Sequence, residues 1–495
     1  MKLLLLFFIL MSILFYNHIP LIWPDEVLFF NPSLELSRTG VMRTSVLSGL
    51  IPGMESHTLW MPPVFMILLS SVFKIFPAEI FTARMFSSFI ALYGILVTIQ
   101  FCKNLQFSKR KIFVIVLLMV TDIVFLKFSH TSRMESLCFF FGILSIYFLS
   151  IDLKEKIQTK HFIISSIALS LSLLSHPFGL IYFFPMMIFW FYREKPTLRN
   201  LSIYFVGGII PISIWALYIL PNFTNFLIQF GAQLSRKNEL LEKFSYIDKV
   251  KIIFSGFTFP ILKVFLLGTS SIILFFTKIY KEKYFLFFLL WTMIVFIFLL
   301  LSSESWYVFH LILPMTVIIS FLYESKNKWV KYFLYLNIFY NCIFALYLPF
   351  QFYVIQKSHL KIEDFFNRIV MIVENKEKIY LQCLPDPYFY LTKKFPKKQI
   401  MEFIPGELSP TEGKINFSEN ADLPFWKRSY KLNPEFYASK VYEQDIFIFY
   451  NENLMNPVIK KYLSENPDLY ERKKLQVDTS PSSGLKLEAV IFIRR

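Results

Sequence analysis

The sequence predicts an all-α polytopic membrane protein with about eleven transmembrane helices, followed by a small α/β domain outside the membrane. Of its 495 residues, 55% are hydrophobic and 19% are aromatic, and 60 Phe stand against only 14 Gly. That composition is far from the one typical of soluble globular domains. Apolar runs close to the length of a bilayer-spanning helix recur along the first 350 residues. The predicted spans lie near residues 3–22, 84–102, 112–128, 134–151, 161–175, 177–192, 201–220, 252–277, 284–302, 305–323 and 329–349.

The distribution of basic residues predicts the orientation. With a cytoplasmic N-terminus, the inner loops hold 16 Lys and Arg in 40 positions, whereas the short outer turns hold one, Arg133. This asymmetry follows the positive-inside rule and accounts for much of the net charge of +16, so it does not indicate nucleic-acid binding. We therefore predict a multi-pass protein of the inner (plasma) membrane. The inner loops are residues 103–111, 152–160, 193–200, 278–283 and 324–331.

One apolar stretch, residues 62–76, is not counted as a span. It is short, it begins with Pro62-Pro63, and counting it would place every later basic loop outside. We predict instead a helix lying at the outer membrane surface. The first outer loop then covers residues 23–83 and belongs to a membrane domain of residues 1–350.

After residue 350 the composition changes. Residues 351–495 are rich in charges of both signs and contain β-like runs at 378–382, 445–450 and 487–493, with a helix-like segment at 456–464. An odd number of spans places this domain on the outer side. The four cysteines have no CxxC spacing, so neither a zinc site nor a disulfide framework is indicated.

The adjacent carboxylates Asp25 and Glu26 follow the first span directly. Carboxylates at a membrane boundary suit deprotonation of a hydroxyl or binding of a divalent cation, although they also simply mark where a span ends. Further polar groups fall at the same outer ends, where an ion pair, a turn or an interfacial anchor is the simpler interpretation of each. They are Arg133, Glu135, His176, Trp306, Tyr307 and His310.

The order of these features resembles a known family. The chain begins with one span and an outer loop that opens with Asp25-Glu26. The Pro62-Pro63 helix, an Arg-x-Glu turn at 133–135 and a His-Pro-x-Gly hairpin at 176–179 come next, in that order. Residues 1–350 resemble the C-type glycosyltransferase (GT-C) fold, and more narrowly the bacterial relatives of protein O-mannosyltransferases and lipid A aminoarabinose transferases. Two departures are Trp60-Met61 before the prolines, where relatives often have Lys or His, and Glu135 in place of Asp.

The resemblance implies an inverting membrane glycosyltransferase. It would take a sugar from a polyprenyl-phosphate donor and pass it to an envelope acceptor (glycolipid, polysaccharide or protein) on the outer face, with Asp25 as the base and Glu26 beside it. The departing phosphate needs positive charge or a metal. We therefore name Asp25, Glu135 and His57 as candidate ligands of a divalent cation. The predicted substrate-binding residues are Arg133, Glu135, His176, Arg236, Lys237, Tyr307 and His310.

Two other classes of function stay open. A secondary transporter or flippase of envelope precursors would use the intramembrane Asp122 and Lys263, but the internal repeats and glycine-rich broken helices of transporters are not visible. A non-catalytic envelope scaffold would not depend on Asp25. The identities of the sugar and of the acceptor do not follow from the sequence.

Overall fold

The computed structural model describes most of the chain. The described residues are 1–14, 21–48, 53–151, 153, 155–231, 233, 244–257, 259–277, 279–302, 304–357, 359–402, 442–452, 455, 457–479 and 486–495.

Helices occur within all eleven predicted spans. In chain order the membrane part contains α1 Lys2–Leu14, α2 Pro24–Thr39, α3 Val64–Phe73, α4 Ile80–Asn104, α5 Lys109–Val120, α6 Ile123–Ser129, α7 Glu135–Leu149, α8 Thr159–Ser175, α9 Leu180–Arg193, α10 Leu198–Ile219, α11 Tyr246–Phe254, α12 Pro260–Phe276, α13 Phe285–Ser302, α14 Ile312–Ser320 and α15 Lys328–Lys357.

The predicted number of eleven full spans is not confirmed among the described residues. By length and composition, five helical stretches of the described chain are able to cross a bilayer, and six if the bent pair α5–α6 counts as one. Several other apolar helices, such as α1, α7, α8 and α12, are shorter than the ~20 residues of a full crossing. The chain bends by 66° between α5 and α6, and α12 begins at Pro260.

The stretch after Pro62-Pro63 forms the short helix α3, as predicted. Its ten residues extend about 15 Å, half of a ~30 Å hydrocarbon core. Phe65, Leu69 and Phe73 are buried, and they belong to one hydrophobic cluster with side chains of α2 and α4. The helix is therefore held by packing on one face, and its orientation along the membrane surface stays a prediction.

The basic loops meet one another at one end of the molecule. Lys111 Nζ lies 3.0 Å from Glu324 Oε1, which joins the loops 103–111 and 324–331. Arg193 Nη2 donates to the carbonyl oxygen of Glu155 at 2.8 Å, which joins the loops 152–160 and 193–200. The contacts agree with the predicted grouping of the loops, while the side of the membrane on which they lie stays a prediction.

A buried ion pair fixes the bend between α5 and α6. Asp122 Oδ1 caps α6 by accepting from the backbone N–H of Val124 at 2.9 Å. Lys263 Nζ donates to Asp122 Oδ2 at 3.0 Å and to Asn341 Oδ1 at 2.8 Å. Asn341 Nδ2 in turn donates to the carbonyl oxygen of Leu118, also at 2.8 Å. The two intramembrane charges thus satisfy each other and join four helices.

The C-terminal part contains a five-stranded sheet. Its strands are β1 Lys378–Gln382, β2 Gln399–Glu402, β3 Ile446–Phe449, β4 Tyr470–Val477 and β5 Leu487–Arg494, and its helices are α16 His359–Val373, α17 Tyr388–Lys394 and α18 Pro457–Glu465. The strand order is β2-β1-β3-β5-β4. Strand β1 pairs in parallel with β2 and β3, whereas the other pairs are antiparallel.

This sheet packs against the first outer loop. The backbone N–H of Asp386 donates to the carbonyl oxygen of Ile22 at 3.1 Å, and Asn31 Nδ2 donates to the Tyr388 hydroxyl at 3.0 Å. The ring centroids of Phe30 and Phe389 are 4.6 Å apart. A single hydrophobic cluster includes residues of α2, α3 and the sheet. The predicted second domain therefore shares its core with the loop that carries Asp25.

Impermeant-thiol labelling of intact cells should establish the orientation. A cysteine replacing the exposed Lys393 of α17 should react, whereas one replacing the exposed Lys109 should react only after permeabilisation. Three native cysteines are buried and Cys342 is half-buried, so the parent protein is the background control. Labelling of the cysteine at position 109 in intact cells would reverse the predicted topology.

Replacing Lys263 with Ala should destabilise the membrane part. The substitution leaves the buried Asp122 without its cation, and breaking a buried ion pair typically costs about 3–5 kcal/mol. Thermal unfolding in detergent should therefore shift to a clearly lower temperature. Lys251→Ala is the matched control, because its pair with Asp248 is 3.6 Å long and exposed. Equal unfolding temperatures of the two variants would contradict a structural role for the Asp122–Lys263 pair.

Candidate active site

The two carboxylates of the Asp-Glu motif open helix α2. Pro24 occupies its first turn, and Trp23 before it is extended. Asp25 and Glu26 therefore lie in the first turn, where the backbone N–H of Glu26 donates to the carbonyl oxygen of Trp23 at 2.9 Å. Adjacent residues of a helix point roughly 100° apart, since a turn contains 3.6 residues. The two side chains consequently reach different partners.

Asp25 and Glu135 share the guanidinium of Arg133. Arg133 Nη1 donates to Asp25 Oδ2, while its Nη2 donates to Glu135 Oε1 at 2.7 Å. The Glu135 carboxylate is fully buried, whereas the Asp25 side chain is 17% exposed. The structure therefore brings the two predicted acidic motifs together, and it leaves Asp25 as the more accessible of the two carboxylates.

Aromatic rings surround the same guanidinium. Its central carbon lies 5.1 Å from the ring centroid of Trp23, 5.7 Å from that of Phe29 and 5.3 Å from that of Trp306. Rings at this distance attract a cation and exclude water from it. Arg133 is thus held in a fixed position by charge and by packing.

Glu26 is engaged in a second buried ion pair. Arg84 Nε donates to Glu26 Oε1 at 2.9 Å and Arg84 Nη2 donates to Glu26 Oε2 at 2.6 Å. The backbone N–H of Ser132 also donates to Glu26 Oε1, at 2.8 Å. Both oxygens are therefore occupied, and Glu26 fixes the segment 130–135 against α4. Its predicted catalytic role is untested, and this geometry favours a positioning role.

A cavity of about 50 Å³ adjoins Asp25. It includes Tyr307 and Arg133 from the predicted set, together with Glu304 and Gln233, which the sequence analysis did not select. Glu304 is an isolated carboxylate at a predicted outer span end, so the rule that selected Asp25 could have found it. The lining residues are Asp25, Leu28, Phe29, Trp60, Met61, Arg133, Met134, Gln233, Glu304, Trp306 and Tyr307.

His176, Tyr307 and His310 form a cluster beside this cavity. His176 Nδ1 accepts from the backbone N–H of Phe178 at 2.9 Å, and His176 Nε2 lies 3.1 Å from the Tyr307 hydroxyl. His310 Nδ1 lies 2.8 Å from the Tyr182 hydroxyl. Tyr307 reaches the cavity, whereas the two histidines are absent from its lining, and only His176 is hydrogen-bonded to a residue that lines it.

The predicted metal ligands do not assemble. Among the described residues, no group of three or more His, Cys, Asp and Glu side chains is placed to hold a metal ion. The Arg133 guanidinium occupies the position between Asp25 and Glu135 that a cation would need, and His57 lies in a separate apolar groove. Asp25, Glu135 and His57 therefore do not fit a shared divalent cation. Arg236 and Lys237 lie outside the described residues.

The apolar groove has a volume of about 460 Å³ and is lined by the outer loop, α3, α8 and α10. Ile67, Leu171, Ile214 and Trp215 contribute to its apolar surface. One short segment, residues 57–64, borders both spaces. Trp60 and Met61 line the cavity at Asp25, whereas His57, Pro63 and Val64 line the groove.

The C-terminal part places two buried carboxyl groups, Asp386 and Glu402, near the start of α2. Asp386 Oδ1 accepts from the backbone N–H of Tyr388 at 2.8 Å, and the Glu402 side chain is fully buried beside Asp386. Burial raises the pKa of Asp386 to about 7, with a further contribution from the charge of Glu26. Burial and the neighbouring Asp386 also raise the pKa of Glu402 well above its usual range.

Comparison with known proteins places this geometry in a fold class. The family model for dolichyl-phosphate-mannose-protein mannosyltransferase matches residues 61–219. No curated protein sequence matches the chain at a significant level.

Three solved structures share the fold. ArnT from Cupriavidus metallidurans in the apo state aligns with a TM-score of 0.59 and 12% identity over 99% of this chain and 97% of that one. ArnT from the same organism bound to undecaprenyl phosphate aligns with a TM-score of 0.56 and 13% identity, over 98% of this chain and 97% of that one. The apo oligosaccharyltransferase of Archaeoglobus fulgidus aligns with a TM-score of 0.52 and 12% identity, over 90% of this chain and 69% of that one. The similarities confirm the predicted GT-C fold.

The stability of the protein should fall as the pH rises from about 4 to 7. Over this range the folded state keeps Asp386 protonated while the unfolded chain loses that proton, so deprotonation favours unfolding by up to ~1.4 kcal/mol per pH unit. The pKa of Glu402 is also raised, so Glu402 contributes to the same trend. Thermal unfolding of the Asp386→Asn/Glu402→Gln protein should show a weaker pH dependence. Asp364→Asn, at an exposed carboxylate, is the control, and an unchanged slope in the double variant would refute the assignment.

Proposed function

We propose that this chain is an integral membrane glycosyltransferase that moves a sugar from a polyprenyl-phosphate-linked donor to an acceptor of the cell envelope. One observation carries the proposal: a partly exposed carboxylate, Asp25, and an apolar groove of about 460 Å³ lie on either side of the segment 57–64. A lipid-linked sugar needs such an arrangement, because its reacting carbon is attached through a phosphate to a long apolar chain. The fold shared with an ArnT bound to undecaprenyl phosphate supports this donor class.

Asp25 is the proposed base. Arg133 holds its Oδ2, so Oδ1 remains to receive the proton of an acceptor hydroxyl. The hydroxyl oxygen attacks the anomeric carbon while the bond from that carbon to the phosphate oxygen breaks. The electron pair of that bond leaves with the polyprenyl phosphate. A single displacement of this kind inverts the anomeric configuration.

The departing phosphate needs positive charge in its surroundings. Arg133 is already shared between two carboxylates, so its main contribution is to orient Asp25. Arg236 and Lys237 follow the cavity-lining Gln233 in the sequence and stay the proposed contacts of the phosphate. The acceptor is a glycolipid, a polysaccharide or a protein, reached at the outer face of the plasma membrane.

Asp25→Asn should lower the rate of transfer about 10²–10⁴-fold, because the amide keeps the size of the side chain but cannot accept the proton. The free energy of unfolding should change little, because Arg133 keeps its ion pair with Glu135. The measurement is mass spectrometry of envelope glycans from cells in which the gene is deleted and replaced by either form. Purified protein with lipid extracts as the donor source gives the rate.

Glu79→Gln is the matched control, because this carboxylate pairs with Lys393 at the exposed surface. It should transfer at the parent rate. Transfer by the Asp25→Asn protein at that same rate would exclude Asp25 as the base and favour a scaffold or transport function.

A further inference from the structure

A buried glutamine holds the segment that lies between the apolar groove and the cavity at Asp25. Gln229 is fully buried and belongs to the helical stretch Leu198–Gly231. Its Nε2 donates to the carbonyl oxygen of His57 at 2.9 Å, and its Oε1 accepts from the backbone N–H of Leu59 at 2.7 Å. Since a carbonyl only accepts and an N–H only donates, these two partners fix the orientation of the amide.

The outer loop holds the other edge of the same segment. The backbone N–H of Thr58 donates to the carbonyl oxygen of Met42 at 2.8 Å, and the hydroxyl oxygens of Thr58 and Thr44 are also 2.8 Å apart. The indole N–H of Trp60 donates to the Thr44 hydroxyl at 3.3 Å. The segment is therefore fixed on one edge by the outer loop and on the other by Gln229.

The helical stretch that carries Gln229 also forms part of the walls of both spaces. Upstream of it, Ile214 and Trp215 line the apolar groove. Four residues downstream of it, Gln233 lines the cavity. The two hydrogen bonds of Gln229 therefore set the spacing between the helical wall and the segment 57–64, which separates the groove from the cavity.

We infer that Gln229 is a positioning residue for the transfer reaction, and that its hold on the backbone at His57 and Leu59 aligns the sugar–phosphate bond of the donor with Asp25. The inference rests on the proposed function. The cavity at Asp25 measures only about 50 Å³, so a small shift of Trp60 changes its shape. A misplacement of ~1 Å can lower a rate about 10²-fold although every reacting group is still present.

Gln229→Met should separate alignment from binding. Methionine keeps the length of the side chain but cannot donate to one backbone group and is a weak acceptor for the other. In the transfer assay with lipid extracts, kcat should fall about 10–10²-fold. The dissociation constant of undecaprenyl phosphate, measured with the purified full-length protein in nanodiscs, should stay close to the parent value, because the lining of the groove is unchanged. Hydrogen–deuterium exchange at Leu59 should become faster, which reports on the segment without depending on activity.

Two variants control for stability and for surface chemistry. Ile228→Ala removes part of a buried apolar side chain from the same helical stretch, so it should lower the unfolding temperature and leave kcat close to the parent value. Gln476→Met, at an exposed position of β4, should change neither quantity. If Gln229→Met does not fold, Gln229→Asn takes its place, because the shorter side chain cannot reach both backbone groups.

The outcomes are distinct. Transfer at the parent rate by a folded Gln229→Met or Gln229→Asn protein would overturn the inference. A loss of transfer matched by an equal loss of undecaprenyl phosphate binding would also overturn it, since binding rather than alignment would then depend on Gln229. Absence of both transfer and undecaprenyl phosphate binding in the parent protein would instead refute the proposed function.

Discussion

The candidate active site of this protein depends on the shared guanidinium of Arg133. It joins the start of α2, through Asp25, to the start of α7, through Glu135, and the rings of Trp23, Phe29 and Trp306 shield it. A buried cation is tolerated only where a carboxylate compensates for its lost hydration, and the fully buried Glu135 supplies that charge for Arg133 even without Asp25. The pair formed by Glu26 and Arg84 fixes the neighbouring backbone at Ser132 and prevents the two helix starts from separating.

Much of this arrangement is visible in the sequence because its signals are local. Apolar runs, the Pro62-Pro63 helix start and the separation of basic loops from polar span ends each depend on residues close together in the chain. They were enough to place Asp25, Arg133, Glu135, His176 and Tyr307 in one region, and the structure brings them together. The fold class follows from the same signals, and the structural similarities confirm it.

The buried ion pair of Glu26 could not be predicted, because its partner, Arg84, lies 58 residues away in the chain. The bend at Asp122 and the helix start at Pro260 were not predicted either, since the apolar runs around them look continuous in the sequence. Strand β4 was not predicted, because its central residues are charged and exposed and the strand therefore lacks an alternation of apolar and polar residues. Strand β2 was not predicted either, because it is too short to show an alternating pattern.

The contact between the outer sheet and α2 has a consequence for how such proteins diversify. Ile22, which precedes α2, and Phe30 and Asn31 within α2 each contact the region of α17 directly, and α2 is also the helix that presents Asp25. A hybrid could join the membrane half of one protein to the C-terminal half of a distant relative. Its two contact surfaces would not have evolved together. Recombination within this interface would disturb the reaction centre itself. The two halves are therefore expected to be inherited as one evolutionary unit, with new acceptor preferences arising by substitution rather than by exchange of the outer part.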